Sequence, residues 1–335
     1  KQSARNALAA RRMTFAEAME AFLDKKAPEF SNKKHLAQWY TTLETYALPI
    51  IGKMPVEQIS VDDVLAVLTS IWLTKTETAT RVRQRIEAVL RWATVAGYRH
   101  GPNPARWQDN LKERLPSPDK ITKVKHQPAL ALTDAADWFA KLKAREGNGA
   151  RALEFVALTA ARSGEVRGMT WAEVDFEYGA WSVPAERMKM KREHRVPLTE
   201  AAIVLLKGLP RHRTSPFVFC APQGGMLSDM ALSAVMKRMH QSEVKAGRSG
   251  FLDRASQRPA VPHGLRSTFR DWVAECTSYP GELAEMALAH KIGNAVEAAY
   301  RRGEQLEKRR QMMATWGAFL SGESGKVVPV EFGHR

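Results

Sequence analysis

Apolar residues in the N-terminal third recur at the three- and four-residue spacing of a helix face. In TFAEAMEAFLDKK, Phe15, Met19, Phe22 and Leu23 share one side, and Thr14 stands where an N-cap belongs. A second helix is predicted over 32–48, closed by Pro49 and Gly52. Ser60 caps a third, VDDVLAVLTSIW. The longest prediction covers 76–96, with Val82, Ile86, Val89, Leu90 and Ala93 inward and Gly97 as its C-cap. Together these make a small helical bundle. Pro102, Pro104, Pro116, Pro118 and Pro128 then interrupt the periodicity among lysines. Helices resume at 134–145 and 150–161. Between 172 and 198 the period shortens: Val174, Phe176, Trp181, Val183, Val196 and Leu198 sit in short runs that predict a small antiparallel sheet, its hairpin turn near Arg192-Glu193. Phe217-Val218-Phe219 adds a short strand. From Ser228 the pattern is helical again, with breaks at 247–262, 277–281 and 291–294, a last good helix near 304–320, and no clear period from Gly322.

The fold expected is therefore mainly α with a small antiparallel β-sheet. Its divisions are an N-terminal segment (1–13), a helical domain (14–112), a linker (113–129), a mixed α+β domain (130–321) and a C-terminal tail (322–335). At 335 residues and 44% hydrophobic content, two packed cores are feasible.

Charge changes the picture more than composition does. The net charge is +15 and the pI about 9.9, which calls for a polyanionic partner. Residues 1–127 hold 21 Lys+Arg against 13 Asp+Glu, hence +8, so the remaining +7 lies in the rest of the chain. Both parts thus have reason to meet a phosphate backbone. Lys33, Lys34, Arg81, Arg83, Arg85, Lys123 and Lys125 are candidate DNA contacts. Cys220 and Cys276 are far apart and outside any CxxC, which speaks against a disulfide framework or cysteine zinc site and fits a reducing cytoplasm. No apolar run approaches the roughly 18 residues of a membrane span, and no signal peptide is visible.

Six scattered residues carry chemistry: Arg162, Lys189, His263, Arg266, His290 and Tyr300. An arginine fork donates two parallel hydrogen bonds to phosphate oxygens and stays charged at any working pH. Two of them stabilise the charge that grows on non-bridging oxygens in phosphoryl transfer. A histidine donates to phosphate or moves a proton near neutrality. His263 and Arg266, three apart in HGLRSTFRDW, share a helical face. Lys189, in RMKMKREHRVP, suits protonation of a leaving oxygen, and Lys191 competes with it from the same face of a strand. The Tyr300 phenol is a nucleophile once its proton leaves, helped by Arg301, Arg302 and the histidines. Alone, each has an ordinary explanation as a surface cation, capping histidine or core tyrosine. Their joint order is what points to cleavage of a phosphodiester.

That order resembles the tyrosine recombinases, or lambda-integrase family. ARSGE, a hairpin lysine, HGLR, LAH and a tyrosine occur in the family's sequence, 24 residues from Arg266 to His290 and 10 more to Tyr300. The resemblance favours Lys189 over Lys191, because the family's lysine lies eight residues before the Val-Pro proline, here Pro197. REHRVPLT, LAHKIGNAVEAAYRRG and FRDW resemble integrases of prophages and genomic islands. The match is strong over about 130–320 and looser over 14–112, as a core-type DNA-binding domain.

The resemblance implies a site-specific DNA recombinase that cuts and rejoins attachment sites on double-stranded DNA through a 3′-phosphotyrosyl link, to integrate or excise a mobile element. It implies no cofactor and no metal. Glu165 is implied as a residue that orients the site. The protein is expected to be a monomer when free and a homotetramer on DNA, aided by accessory directionality or DNA-bending proteins. It is expected in the cytoplasm, at the nucleoid when DNA-bound. Relatives of this subtype carry an N-terminal arm-binding domain. None is found in this chain, which starts at Lys1, so a longer natural protein is expected. A type IB topoisomerase shares the catalytic residue types but relaxes DNA as a monomer, and the prophage-like wording counts against it. A non-catalytic DNA-binding protein would not need all six positions filled.

Overall fold

The computed structural model describes residues 13–30, 33–122, 126–290 and 305–323, with Lys33 described in its backbone alone. The chain forms two compact units, Lys1–Lys125 and His126–Arg335. Both are mainly helical, and the second contains the small antiparallel sheet.

In the first unit, α1 (Phe15–Lys26) and α4 (Val61–Trp72) begin with the reciprocal bonds of a capping box. Thr14 N donates to Glu17 at 2.8 Å and Ser60 N to Asp63 at 2.9 Å. Each cap contributes about 1 kcal/mol. Helix α2 (Lys33–Tyr46) packs with them on α5 (Thr76–Val95), and the short α3 (Leu48–Ile51) packs against α1, α2 and α4. The core holds Phe15, Leu23, Leu43, Ile51, Val64, Leu68, Val82, Ile86 and Leu90. Gly97, at φ +80°, closes α5: its N–H reaches Thr94 O and Tyr98 N–H reaches Ala93 O. The start of the stretch read as a linker also packs here. Leu115, like Leu111 before it, is buried in this core, and Pro116 O accepts from Trp72 Nε1 at 2.9 Å. α6 (Pro118–Ile121) follows and adds Ile121.

The second unit is built round α8 (Asn148–Thr159), buried on nearly every side by α7 (Ala135–Lys143), α10 (Glu200–Lys207), α11 (Ala231–Lys245) and α14 (Leu306–Leu320). Trp316 Nε1 donates to Ala157 O at 2.7 Å, and the Trp272 ring lies tilted against Trp316 with centroids 5.2 Å apart. The short α9 (Ser163–Arg167) leads to the sheet β1 (Val174–Asp175), β2 (Ala180–Val183) and β3 (His194–Pro197), in that order, with Trp181 opposite Val196. α12 (Gly264–Cys276) and α13 (Gly281–Ala287) follow α11.

Two local expectations need correction. Phe217-Val218-Phe219 is not a strand: it makes one bridge, Thr170 to Phe217, and Val218 and Phe219 are buried in the core. Short apolar runs do not distinguish the two by periodicity. The hairpin turn lies at Met188–Lys191, where Lys191 N donates to Met188 O at 3.0 Å, and not at Arg192-Glu193. Lys189 is thus on a turn, where strand alternation says nothing about its facing. Among the described residues, no helix is long and apolar enough to cross a membrane.

Candidate active site

Helix α8 ends on Ala160 in the left-handed conformation, φ +51°, which costs a non-glycine residue about 1–2 kcal/mol. The kink turns Ala160 O out of the helix direction and delivers Arg162 to the start of α9. Glu165 then holds Arg162 at two points. One carboxylate oxygen accepts from Arg162 Nη1 at 2.8 Å and the other from Arg162 N at 2.9 Å. Glu165 is buried while Arg162 stays partly open to solvent.

His263 and Arg266 come from the start of α12, which is fastened to the segment at 128–130. Thr268 Oγ1 donates to Leu130 O at 2.8 Å and Val261 N to Pro128 O at 3.1 Å. Gly264 allows this approach, since a Cβ there would stand 1.8 Å from Pro128 O. Gly264→Ala is expected to force the two segments apart and to lower stability by about 1–3 kcal/mol, the usual cost of overpacking. A urea melt measures this, and a midpoint equal to that of the unaltered protein would contradict it.

Arg266 is 5% exposed. Its Nη1 donates to Ala160 O and its Nη2 to Leu288 O, each at 2.6 Å. Nη2 also lies 3.0 Å from His290 Nε2. His290 is reached because α13 ends in Leu288 and a left-handed Ala289, φ +49°. Its Nδ1 is 2.6 Å from Glu285 Oε2.

The site is cationic, with Glu165 and Glu285 offsetting part of its charge. Arg266 is pushed down to about 10, first by burial and then by the Arg162 guanidinium, with Glu165 and Glu285 opposing. It remains charged at pH 7. His263, at the exposed mouth, is held below its ordinary value by partial desolvation, then by Arg266, Arg162, His290 and Lys189. Arg162, Lys189, Arg266 and His290 thus all bear on His263, and the Arg162 and Arg266 guanidinium groups repel each other. A phosphate group relieves that repulsion.

Three residues that sequence reasoning missed support the site. Arg187, two before Lys189, donates to Glu165 O at 2.6 Å, to Glu173 Oε1 at 2.8 Å and to Gly168 O, tying the turn that carries Lys189 to α9. His194, on β3, is pushed down to about 4 by burial first and Arg309 second, and donates to the backbone of Ala287. Glu285 grips His290. No local pattern marks the first two. Glu285 lies five residues before His290, close to one turn of helix, which is a weak signal at best.

Two family signatures cover most of the chain. The phage integrase central domain matches residues 15–110, and the phage integrase family matches residues 125–306. The chain belongs to the phage integrase family. It is a site-specific tyrosine recombinase of prophage type. It is similar to the integrase of Enterobacteria phage P4, with 28% identity over 321 residues, spanning 89% of this chain and 68% of the phage protein. It is also similar to prophage integrase IntA of Escherichia coli strain K12, with 27% identity over 340 residues, 98% of this chain and 75% of that one. Its fold matches that of a lambda integrase tetramer solved on a Holliday junction, with a TM-score of 0.62, 15% identity, and coverage of 84% of this chain and 79% of the other.

Not every candidate of this recombinase joins the site. Tyr300, Lys123 and Lys125 lie outside the described residues, as does the Lys33 side chain. Lys34 and Arg81 are exposed, Arg81 paired with Glu77 one turn away. Arg83 and Arg85 depart from the expectation of DNA contact, because both are buried inside the first unit. Arg83 donates to Ala105 O and Glu87, while Arg85 donates to Gln38 O and Thr42 and stacks over Trp39. A buried guanidinium with those partners braces helices and does not present its charge at the surface.

Proposed function

We propose that Arg162, Arg266, His263, His290 and Lys189 bind one DNA phosphate and that Tyr300 attacks it. The phenolic oxygen bonds to phosphorus as the bond to the 5′-oxygen breaks, leaving a 3′-phosphotyrosyl link and a 5′-hydroxyl. Lys189 supplies the proton of the leaving oxygen, and a neutral histidine takes the one that the phenol loses. The two arginines neutralise charge on the non-bridging oxygens. A 5′-hydroxyl of a partner duplex then reverses the step and joins new strands. Bond energy is conserved in the covalent link, so the cycle needs no nucleotide hydrolysis.

The observation that carries this reading is the convergence of Arg162, held by Glu165 at 2.8 Å, with Arg266, 3.0 Å from His290, in electrostatic reach of His263, an arrangement of donors that suits a phosphodiester. By analogy with the lambda tetramer, four copies act on two duplexes through a Holliday junction. The helical unit and the catalytic unit both bind DNA, Lys34 and Arg81 contributing phosphate contacts. Attachment sites are the substrate, accessory proteins bias the direction, and the free protein is a monomer that joins the nucleoid on binding DNA.

The test is a nicked duplex that loses the strand 5′ of the nick once cut. In EDTA, the recombinase is expected to become covalently trapped on the 3′-phosphate side, and sequencing the trapped strand reads the cleavage position. A 5′-phosphate link, or no covalent product on a duplex that the protein demonstrably binds, contradicts the proposal.

A further inference from the structure

The imidazole of His290 is held from both sides. Its Nε2 faces Arg266 Nη2 at 3.0 Å, and its Nδ1 faces Glu285 Oε2 at 2.6 Å. A guanidinium nitrogen can only donate, so Nε2 must offer its lone pair. An ionised carboxylate can only accept, so Nδ1 must carry the proton. Both neighbours thus demand the same tautomer, the one that a free histidine side chain favours less.

Glu285 is itself fixed. Its other oxygen accepts from Arg270 Nε at 2.7 Å, and Arg270 stands one turn after Arg266 on α12. Burial raises the Glu285 carboxyl, but hydrogen bonds from Arg270 and His290 outweigh it and hold the group below the usual carboxylate range. It is therefore ionised at neutral pH. Arg266, His290, Glu285 and Arg270 close a ring of contacts that joins α12 to α13.

We infer that Glu285 is a positioning residue for strand cleavage: it accepts the hydrogen bond of His290 Nδ1–H and so keeps Nε2 unprotonated, beside Arg266 at the phosphate-binding face. The inference rests on the recombinase reading of the site and deepens it. His290 meets the phosphodiester as a base. The Glu285 carboxylate across the ring fixes its orientation through Nδ1. Oriented carboxylate–histidine pairs elsewhere do the same for a ring nitrogen that must face a ligand.

The test uses the full chain, labelled with ¹⁵N-histidine, at about pH 8, where an unperturbed imidazole is neutral. His290→Gln assigns the resonances. The expected spectrum has a protonated Nδ1 and an unprotonated Nε2, and Glu285→Ala, which leaves Arg266 alone to enforce that tautomer, raises the share of Nε2–H. In single-turnover cleavage of the nicked duplex, Glu285→Ala is expected to be slower by about 10–100-fold, with DNA affinity unchanged. Glu285→Gln, whose amide oxygen still accepts from Nδ1 without the charge, should fall between. An Nε2–H tautomer in the unaltered protein overturns the inference without recourse to any variant. So does a folded Glu285→Ala protein that cleaves within about threefold of the parent. If the unaltered protein forms no covalent complex, the recombinase reading fails instead, and the tautomer measurement still judges Glu285 alone.

Discussion

Replacing Tyr300 with phenylalanine is expected to abolish the covalent protein–DNA complex. The substitution removes one oxygen and keeps the ring, so DNA affinity and stability should stay as they are. What disappears is the group that becomes bonded to phosphorus. Loss of a nucleophile commonly costs on the order of 10⁴–10⁶ in rate, and residual turnover by water would leave no protein attached to the strand. The measurement is denaturing electrophoresis of the trapped complex, with binding followed separately by a mobility shift. A variant that binds and still becomes trapped assigns the nucleophile to another residue. The phosphate clamp would survive that result, because its evidence is the arrangement of Arg162, Arg266, His263 and His290.

Arg266→Ala is expected to lower the single-turnover rate by about 10²–10³, the scale seen when one preorganised charge-stabilising donor is removed. It carries a second cost that the tyrosine change does not. Ala160 O and Leu288 O both lose a charged donor in a buried setting, and an unmade bond at a buried acceptor costs about 1–3 kcal/mol. The variant should therefore melt earlier as well as cleave more slowly. Comparing rates at a temperature below both melts separates the effects. Arg266→Lys keeps a positive charge but offers one nitrogen where the arginine offers a fork. It should recover part of the stability and little of the rate. A rate for Arg266→Ala within about threefold of the parent would exclude this residue from the reaction.

How much of this was legible in the sequence follows from distance along the chain. The caps were legible because Thr14 and Glu17, or Ser60 and Asp63, lie within one turn, and Gly97 announces its left-handed role by lacking a Cβ. The strands were legible from alternation, but the turn between them was misplaced. Arg187 engages Glu173 and Glu165 O, 14 and 22 residues away, and the chain leaves strand geometry there before Lys189. No windowed pattern contains those partners. Likewise, the prolines after 101 interrupt every helical period, and no pattern there shows that Leu115 and Ile121 pack on the bundle.

The sequence by itself determined the kinds and order of the reactive groups: two arginines, two histidines, a hairpin lysine and a tyrosine at intervals that name a chemistry. Those are properties of side chains and spacing, and folding does not alter them. Only the tertiary structure decided which cations face an open site and which brace a core. Arg83 and Arg266 are the same side chain, buried to nearly the same degree. Arg83 meets Glu87 and Ala105 O, 4 and 22 residues away, and is neutralised. Arg266 meets Ala160 O, 106 residues away, beside Arg162 and a histidine that a carboxylate has turned toward it. Desolvation and Coulomb energy depend on which groups the fold brings within a few ångströms, and that information is not local to either arginine.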